Sequence, residues 1–415
     1  MTARPRPRWA VPVVAAVVVV TALAAVLTSP DEYVASPDGA DRPQAEPSEA
    51  ASALRSLEEA VTARDADAAV EVAADDESAA LLRTVVANAG ALDVRDFTLR
   101  YVDETSGVAP DATWTAAVDM TWRFAGFDRD PVHEEVLVEF DGKGPGVTVS
   151  GLGGGDRRTP LWLTASLEVR RSADTLVAVA GTPQDADRYA RQAQVAVPAV
   201  RKVLPDWPGG LVVEVPQDAA ALDAMLAAEP GTYADIAAVS TSVDGTLTPS
   251  SPTHVFVNPD LYGGLGPVGE QVVMTHEATH IATAAPVTTG VPVWLLEGFA
   301  DYVALRDTDL PMSKAAGQVI AQVRAEGVPD TLPGPDQFDS TATHLGAAYE
   351  AAWVVCLVVA DRAGEDALVR LYDDVSSGAD VAQALRSDVG VDVAGLTGLW
   401  QDRLEQLVAE TPVAG

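Results

Sequence analysis

The chain is 415 residues long, and its 61 acidic and 27 basic residues give a formal net charge of −34. Nucleic acid is itself strongly negative, so this charge argues against a nucleic-acid partner. The single cysteine, Cys356, excludes an internal disulfide and a cysteine-based metal site, so any metal must be held by histidine and carboxylate.

Residues 1–28 have the pattern of a membrane-targeting segment. Three arginines precede an apolar run over residues 9–27. A helix over this run would extend roughly 28 Å, close to the thickness of the hydrocarbon core. The basic residues predict a cytoplasmic stub and a single-pass signal anchor, with the rest of the chain outside the cell membrane. A cleaved signal peptide and a secreted protein are the alternative, because residues 22–24 (Ala-Leu-Ala) resemble a cleavage site.

A linker and a small α+β domain are predicted next. Residues 29–48 are rich in Pro, Asp, Ala and Ser, which is typical of a solvated linker. Residues 49–155 show a helical pattern followed by strand-like runs, and end in a glycine-rich boundary at 151–155. This order of elements resembles the cone-shaped domain of the nuclear-transport-factor-like superfamily, with helices before a curved antiparallel sheet. We interpret it as a spacer or docking domain.

Residues 160–410 are predicted to form a second, larger domain. A hairpin, a helix from Pro183 to about Val203 and three further strands precede a stretch that has helical periodicity from residue 267 onward. Strands first and helices after predict an α+β fold class. The whole chain is therefore predicted as a membrane helix, a cone-like domain, and a domain with a small sheet followed by a helical half.

The segment His276-Glu-Ala-Thr-His280 carries the sharpest chemical signal. Histidines four residues apart on a helix project from one face, so both imidazoles can reach one zinc ion at about 2.0–2.1 Å. Glu277 lies about 100° around the helix, where it can take a proton from a zinc-bound water. Chance explains this pattern poorly, because the chain has five histidines in total. Apolar neighbours predict a buried helix, in which unpartnered polar side chains would be costly.

A third ligand must come from elsewhere in the chain. Thr283 and Pro286 replace the glycine and histidine of the metzincin continuation, which excludes that class. Glu297 and Asp301 are four residues apart on an otherwise apolar helical stretch. Two carboxylates turned towards a core repel unless a cation lies near them. One can bind the metal while the other accepts the free N–H of a ligating histidine.

The His-Glu-x-x-His motif is followed by Trp-x-x-Glu-Gly-x-Ala-x-Tyr over residues 294–302. Together they resemble the gluzincin clan of zinc metallopeptidases, which includes thermolysin and the zinc aminopeptidases, and most of all its peptidase MA family. The resemblance implies three Zn²⁺ ligands, namely His276, His280 and Glu297. It further implies that Glu277 is the general base and that Asp301 supports a ligand histidine. The chain lacks the Gly-x-Met-Glu-Asn segment that binds a free N-terminus in the aminopeptidases, so the resemblance does not extend to that activity.

Peptide hydrolysis also needs a hydrogen-bond donor to the oxyanion. Related enzymes use a tyrosine or a histidine from the helical half, which makes Tyr349 the first candidate and His344 the alternative. In this clan the substrate backbone pairs with an edge strand upstream of the zinc helix, and Thr253–Asn258 is the candidate. His254 on that strand is expected to point to solvent.

The sequence thus predicts a membrane-anchored or secreted zinc metallopeptidase that hydrolyses peptide or protein substrates, with Glu277 acting on a zinc-bound water. One alternative is a catalytically silent zinc-binding or interaction protein of the same fold. The presence of Glu277 beside both histidines argues against it. Another is a zinc hydrolase of a non-peptide amide, such as one in a cell wall. The motifs do not exclude it, because the metal site dictates hydrolysis and the pocket dictates the substrate.

Overall fold

The computed structural model describes residues 44–339 and 342–411, and the described residues from Ala45 onward belong to one compact unit. The helices are α1 Pro47–Ala63, α2 Ala66–Val70, α3 Asp76–Ala91, α4 Pro183–Val203, α5 Ala219–Met225, α6 Pro259–Tyr262, α7 Gly266–Ala282, α8 Val293–Leu305, α9 Met312–Ala315, α10 Gly317–Glu326, α11 Leu345–Ala363, α12 Glu365–Ser376, α13 Val381–Ala384 and α14 Val393–Glu410. The strands are β1 Val94–Glu104, β2 Thr113–Phe124, β3 Val132–Gly144, β4 Gly146–Leu152, β5 Glu168–Arg171, β6 Thr175–Val179, β7 Leu211–Val215, β8 Ala238–Ser242 and β9 Thr253–Val257.

The first part of the structure packs α1 to α3 against a four-stranded antiparallel sheet. Its strands follow chain order, β1-β2-β3-β4, because each is joined to the next by a short connection. Alternate side chains of β2 are buried, as expected for a strand with one face on a core. They are Trp114, Ala116, Val118, Met120 and Trp122.

The predicted α+β fold class is wrong, because the second sheet is mixed and its parallel strands are joined by helices. Its strand order is β5-β6-β7-β9-β8, in which β6, β7 and β9 run parallel and the two outer strands run antiparallel. Parallel neighbours need a crossover. The helix α4 supplies it between β6 and β7, and it begins and ends at the predicted residues, Pro183 and Val203. The fold is therefore mixed α/β with two sheets.

The membrane helix included in that predicted fold lies at residues 9–27, outside the described residues. Within residues 44–339 and 342–411, no helix has both the length and the apolar character needed to cross a membrane. The first described helix, α1, begins at Pro47, within the last residues of the predicted linker.

The five-stranded sheet lies between two hydrophobic cores. One face contributes side chains to the core of the first sheet: Leu176, Ala178, Val212 and Phe256. The other face contributes to a core shared with the helices: Val177, Val179, Val213, Val215, Val255 and Val257. The glycine-rich segment at 151–155 thus connects two sheets that bury side chains in one common core.

A buried ionic bridge joins the two sheets at His254 on β9, so the prediction that this histidine points to solvent is wrong. Its Nδ1 lies 2.7 Å from Oε1 of Glu214 on β7, and its Nε2 lies 2.9 Å from Oδ1 of Asp128, which follows β2. The imidazole stacks on Phe124 with ring centroids 5.5 Å apart. Burial lowers the pKa of His254, but the two carboxylates outweigh burial and raise the pKa to about 9.

This bridge makes stability depend on pH. The folded-state pKa of His254 lies above the unfolded value of 6.5. The stabilisation is therefore complete below about pH 6.5, and on the order of 3 kcal/mol of it is lost as the pH rises through about 9. We expect the difference in unfolding free energy between wild type and His254→Gln, measured by urea denaturation, to shrink by that amount. His133→Gln replaces an exposed histidine and is the matched control. A difference that stays constant from about pH 6 to about pH 10 would contradict the ionic bridge.

Candidate metal centre

Two facing helices, α7 and α8, carry all the candidate ligands. His276 and His280 lie one turn apart on α7, with their imidazole centroids 4.6 Å apart. Glu297 and Asp301 lie one turn apart on α8, which starts directly after Pro292. Proline fits the start of a helix because the first N–H groups have no partner within the helix. The two helical pairs face each other and form one cluster of polar side chains.

The donor atoms have the separation that a tetrahedral zinc ion requires. The Nε2 atoms of His276 and His280 are 3.0 Å apart. Oε2 of Glu297 lies 3.3 Å from the first nitrogen and 3.4 Å from the second. Ligands at about 2.0–2.1 Å from a tetrahedral ion are about 3.3 Å from one another. Two imidazoles, one carboxylate and an open fourth position form the donor set of a catalytic zinc site, so these residues fit the metal.

Asp301 fixes the orientation of one candidate ligand. Nδ1 of His276 donates a hydrogen bond of 2.8 Å to Oδ1 of Asp301, which leaves Nε2 directed at the cluster. Burial lowers the pKa of His276, but the charge and hydrogen bond of Asp301, together with two neighbouring glutamates, outweigh burial and raise the pKa well above its ordinary value. Burial raises the pKa of Glu297, but the charges and hydrogen bonds of His280 and His276 bring it far below the usual range. The cluster therefore brings imidazoles and carboxylates of opposite charge together in a largely buried environment.

Glu277 lies beside this cluster and is held by a residue that the sequence did not single out. The residue is buried, with 7% of its surface exposed. The hydroxyl of Ser240 on β8 lies 2.7 Å from Oε2 of Glu277 and donates a hydrogen bond to it. The charge of Glu277 contributes to the raised pKa values of His276 and Tyr349. No local signal marks Ser240, because it is one of three small hydroxyl residues in β8 and lies 37 positions before Glu277.

The structure places Tyr349, and not His344, against the cluster. The ring of Tyr349, on α11, lies 6.1 Å from that of His276 between centroids, and Phe338 packs edge-on against it at 5.1 Å. Burial and the negative charges of Glu297, Glu277 and Asp301 raise the pKa of Tyr349, so its hydroxyl stays protonated. His344 is exposed, and its Nε2 lies 3.4 Å from a carboxylate oxygen of Glu326.

The edge strand next to α7 is β8, and the prediction of Thr253–Asn258 as the edge strand is wrong. Residues of β9 pair with β7 on one side and with β8 on the other, so β9 is internal. In the described part of the sheet β8 ends the strand order. The sequence does not reveal this order of strands. Along the chain β8 precedes β9, but in the sheet β9 lies between β7 and β8.

Gly298 allows α8 to approach α11 closely. A Cβ atom at this position would clash with the backbone carbonyl of Ala352 and lie 3.0 Å from Sγ of Cys356. Because the obstacle is helix backbone, it cannot rotate away. The glycine of the second motif therefore sets the distance between the helix that carries Glu297 and the helix that carries Tyr349.

Comparison of the sequence with protein-family models and with curated proteins finds no match. The resemblance to gluzincins therefore rests on the two motifs. The structure places the residues of those motifs in one cluster: His276, Glu277, His280, Glu297 and Asp301.

Gly298→Ala is expected to destabilise the protein, because α8 and α11 must separate to admit the methyl group. We expect a loss of roughly 1–3 kcal/mol in the free energy of unfolding by urea. Gly398→Ala is the matched control, since Gly398 lies within α14 with no atom of another part of the structure within 4 Å of its Cβ position. That variant should gain roughly 0.5–1 kcal/mol from helix propensity. Equal effects of the two substitutions would refute the close approach.

Proposed function

We propose that this protein is a zinc metallopeptidase of the gluzincin type. The supporting observation is that three donor atoms 3.0–3.4 Å apart lie beside the buried carboxylate of Glu277. A three-ligand site has room for a substrate or a water, and an adjacent carboxylate can move the proton. These are two of the requirements for metal-assisted hydrolysis of an amide.

Each residue of the cluster has a separate task in this proposal. The zinc ion would be held by His276, His280 and Glu297. When bound, zinc is a Lewis acid that lowers the pKa of water and polarises a carbonyl. Glu277 accepts a proton from the attacking water and passes it to the leaving amine. One of its oxygens is bonded to Ser240, so the other is free for the water.

Tyr349 is the proposed donor to the oxyanion. Its pKa is raised by burial and by three carboxylates, so the phenol keeps its proton and can donate a hydrogen bond. A donor aimed at the charge that develops on the carbonyl oxygen stabilises the transition state. The proposal is supported by the position of the Tyr349 ring, which lies 6.1 Å from the His276 ring between centroids.

The substrate in this proposal is an extended peptide added to the outer edge of β8, the last strand in the described order of the sheet. Ser240 on this strand is bonded to Glu277, so the edge lies next to the general base. Pairing of main chains gives affinity with little dependence on side chains. The enzyme is therefore expected to cleave unfolded or extended segments with little preference for their sequence.

Metal content separates this proposal from its alternatives. The purified protein, prepared without a metal-binding tag and with zinc supplied, should contain about one zinc per chain by atomic spectroscopy. His280→Ala should lose it because one donor is missing. Glu277→Gln should keep the metal but hydrolyse a labelled peptide library at least about a hundredfold more slowly.

The other outcomes are equally informative. A folded protein without zinc would overturn the metallopeptidase. Zinc without hydrolysis in the wild type, and with no effect of Glu277→Gln, would favour a silent zinc-binding protein.

Asp301→Asn tests the support of His276. An asparagine keeps the shape of the side chain but loses the charge that orients the imidazole. We expect zinc affinity to fall about 10–100-fold in competition with a chelator. Asp307→Asn is the control, because Asp307 pairs with Lys202 at the surface. Equal zinc affinity of both variants would show that Asp301 does not support the ligand.

A further inference from the structure

We infer that Ser240 is a positioning residue for the general base Glu277. This inference rests on the proposed function and adds a residue that lies outside both sequence motifs. The hydroxyl of Ser240 lies 2.7 Å from Oε2 of Glu277 and 3.1 Å from the backbone carbonyl oxygen of the same residue. The serine thus touches both ends of one residue, its main chain and its carboxylate.

The contact restrains a side chain that would otherwise have several rotamers. A glutamate in a helix has three rotatable bonds, and a buried carboxylate without a donor is costly. The hydrogen bond from Ser240 offsets part of that cost and holds one oxygen. Since a carboxylate has two oxygens, the second remains available to a water molecule. The geometry therefore favours one orientation of the base.

The location of Ser240 gives this contact a second consequence. The residue lies in the middle of β8, opposite Val255 of β9, and the other edge of β8 is the one proposed for the substrate. A peptide added to that edge would be paired with the same strand that holds Glu277. The base and the scissile bond would then be positioned by one rigid element.

The first test is kinetic. We expect Ser240→Ala in the zinc-loaded full chain to lower kcat for fluorescein-labelled denatured casein about tenfold to a hundredfold, which is typical of losing a hydrogen bond to a charged group. KM should change less than about twofold, because the substrate edge is intact. Ser240→Thr keeps the hydroxyl and should restore most of kcat.

Ser106→Ala is the control outside the proposed site. The exposed Ser106 hydroxyl follows β1 and accepts a hydrogen bond of 2.9 Å from the backbone N–H of Thr115 in the first sheet, so its removal should leave kcat unchanged. A normal kcat in Ser240→Ala, or an equal loss in Ser106→Ala, would overturn the inference. A loss that Ser240→Thr does not restore would also overturn it.

The second test does not depend on activity. In the metal-free protein, urea midpoints of Ser240→Ala, Glu277→Ala and the double variant should be non-additive, because each single change removes the same hydrogen bond. Additive midpoints would show that the contact is absent and would overturn the inference. A third outcome is non-additive midpoints in a protein that binds no zinc or hydrolyses no substrate. The contact would then exist, but the proposed function and the role of Ser240 in catalysis would both be refuted.

Discussion

The candidate site depends on one constraint, the close approach of α7 and α8. Each helix presents two polar side chains one turn apart, and the two pairs must meet within about 3 Å in largely apolar surroundings. Repulsion and desolvation oppose that meeting unless each charge finds a partner. The imidazoles and carboxylates satisfy one another, and the packing of α8 through Gly298 holds them in place.

The parts of the site that follow helical periodicity could be predicted from the sequence. Spacing of four residues places His276 with His280, and Glu297 with Asp301, on any α-helix. The facing of the two pairs was inferred from their chemistry, because buried carboxylates need a cation. The prediction of Tyr349 depended on the resemblance to gluzincins, because its spacing from the motifs does not show that it contacts the cluster.

The parts that depend on strand order could not be predicted from local patterns. The α+β fold class was wrong because parallel pairing joins segments far apart in the chain. One signal was available: β6 and β7 are almost continuously apolar, which is typical of parallel strands buried on both faces. The prediction that His254 points to solvent fails because its partners, Asp128 and Glu214, lie 126 and 40 residues away in the chain. Ser240 was missed for the same reason, because it lies 37 residues from Glu277 in the chain.

The sandwiched position of the second sheet affects how the chain can be divided. A fragment that began near residue 160 would leave one face of β6, β7 and β9 uncovered, including Leu176, Val212 and Phe256. It would also deprive His254 of Asp128. Exposed apolar strands promote aggregation. The amino-terminal sheet therefore shields the apolar strands beneath the candidate site, and a shortened chain is expected to need that cover to stay soluble.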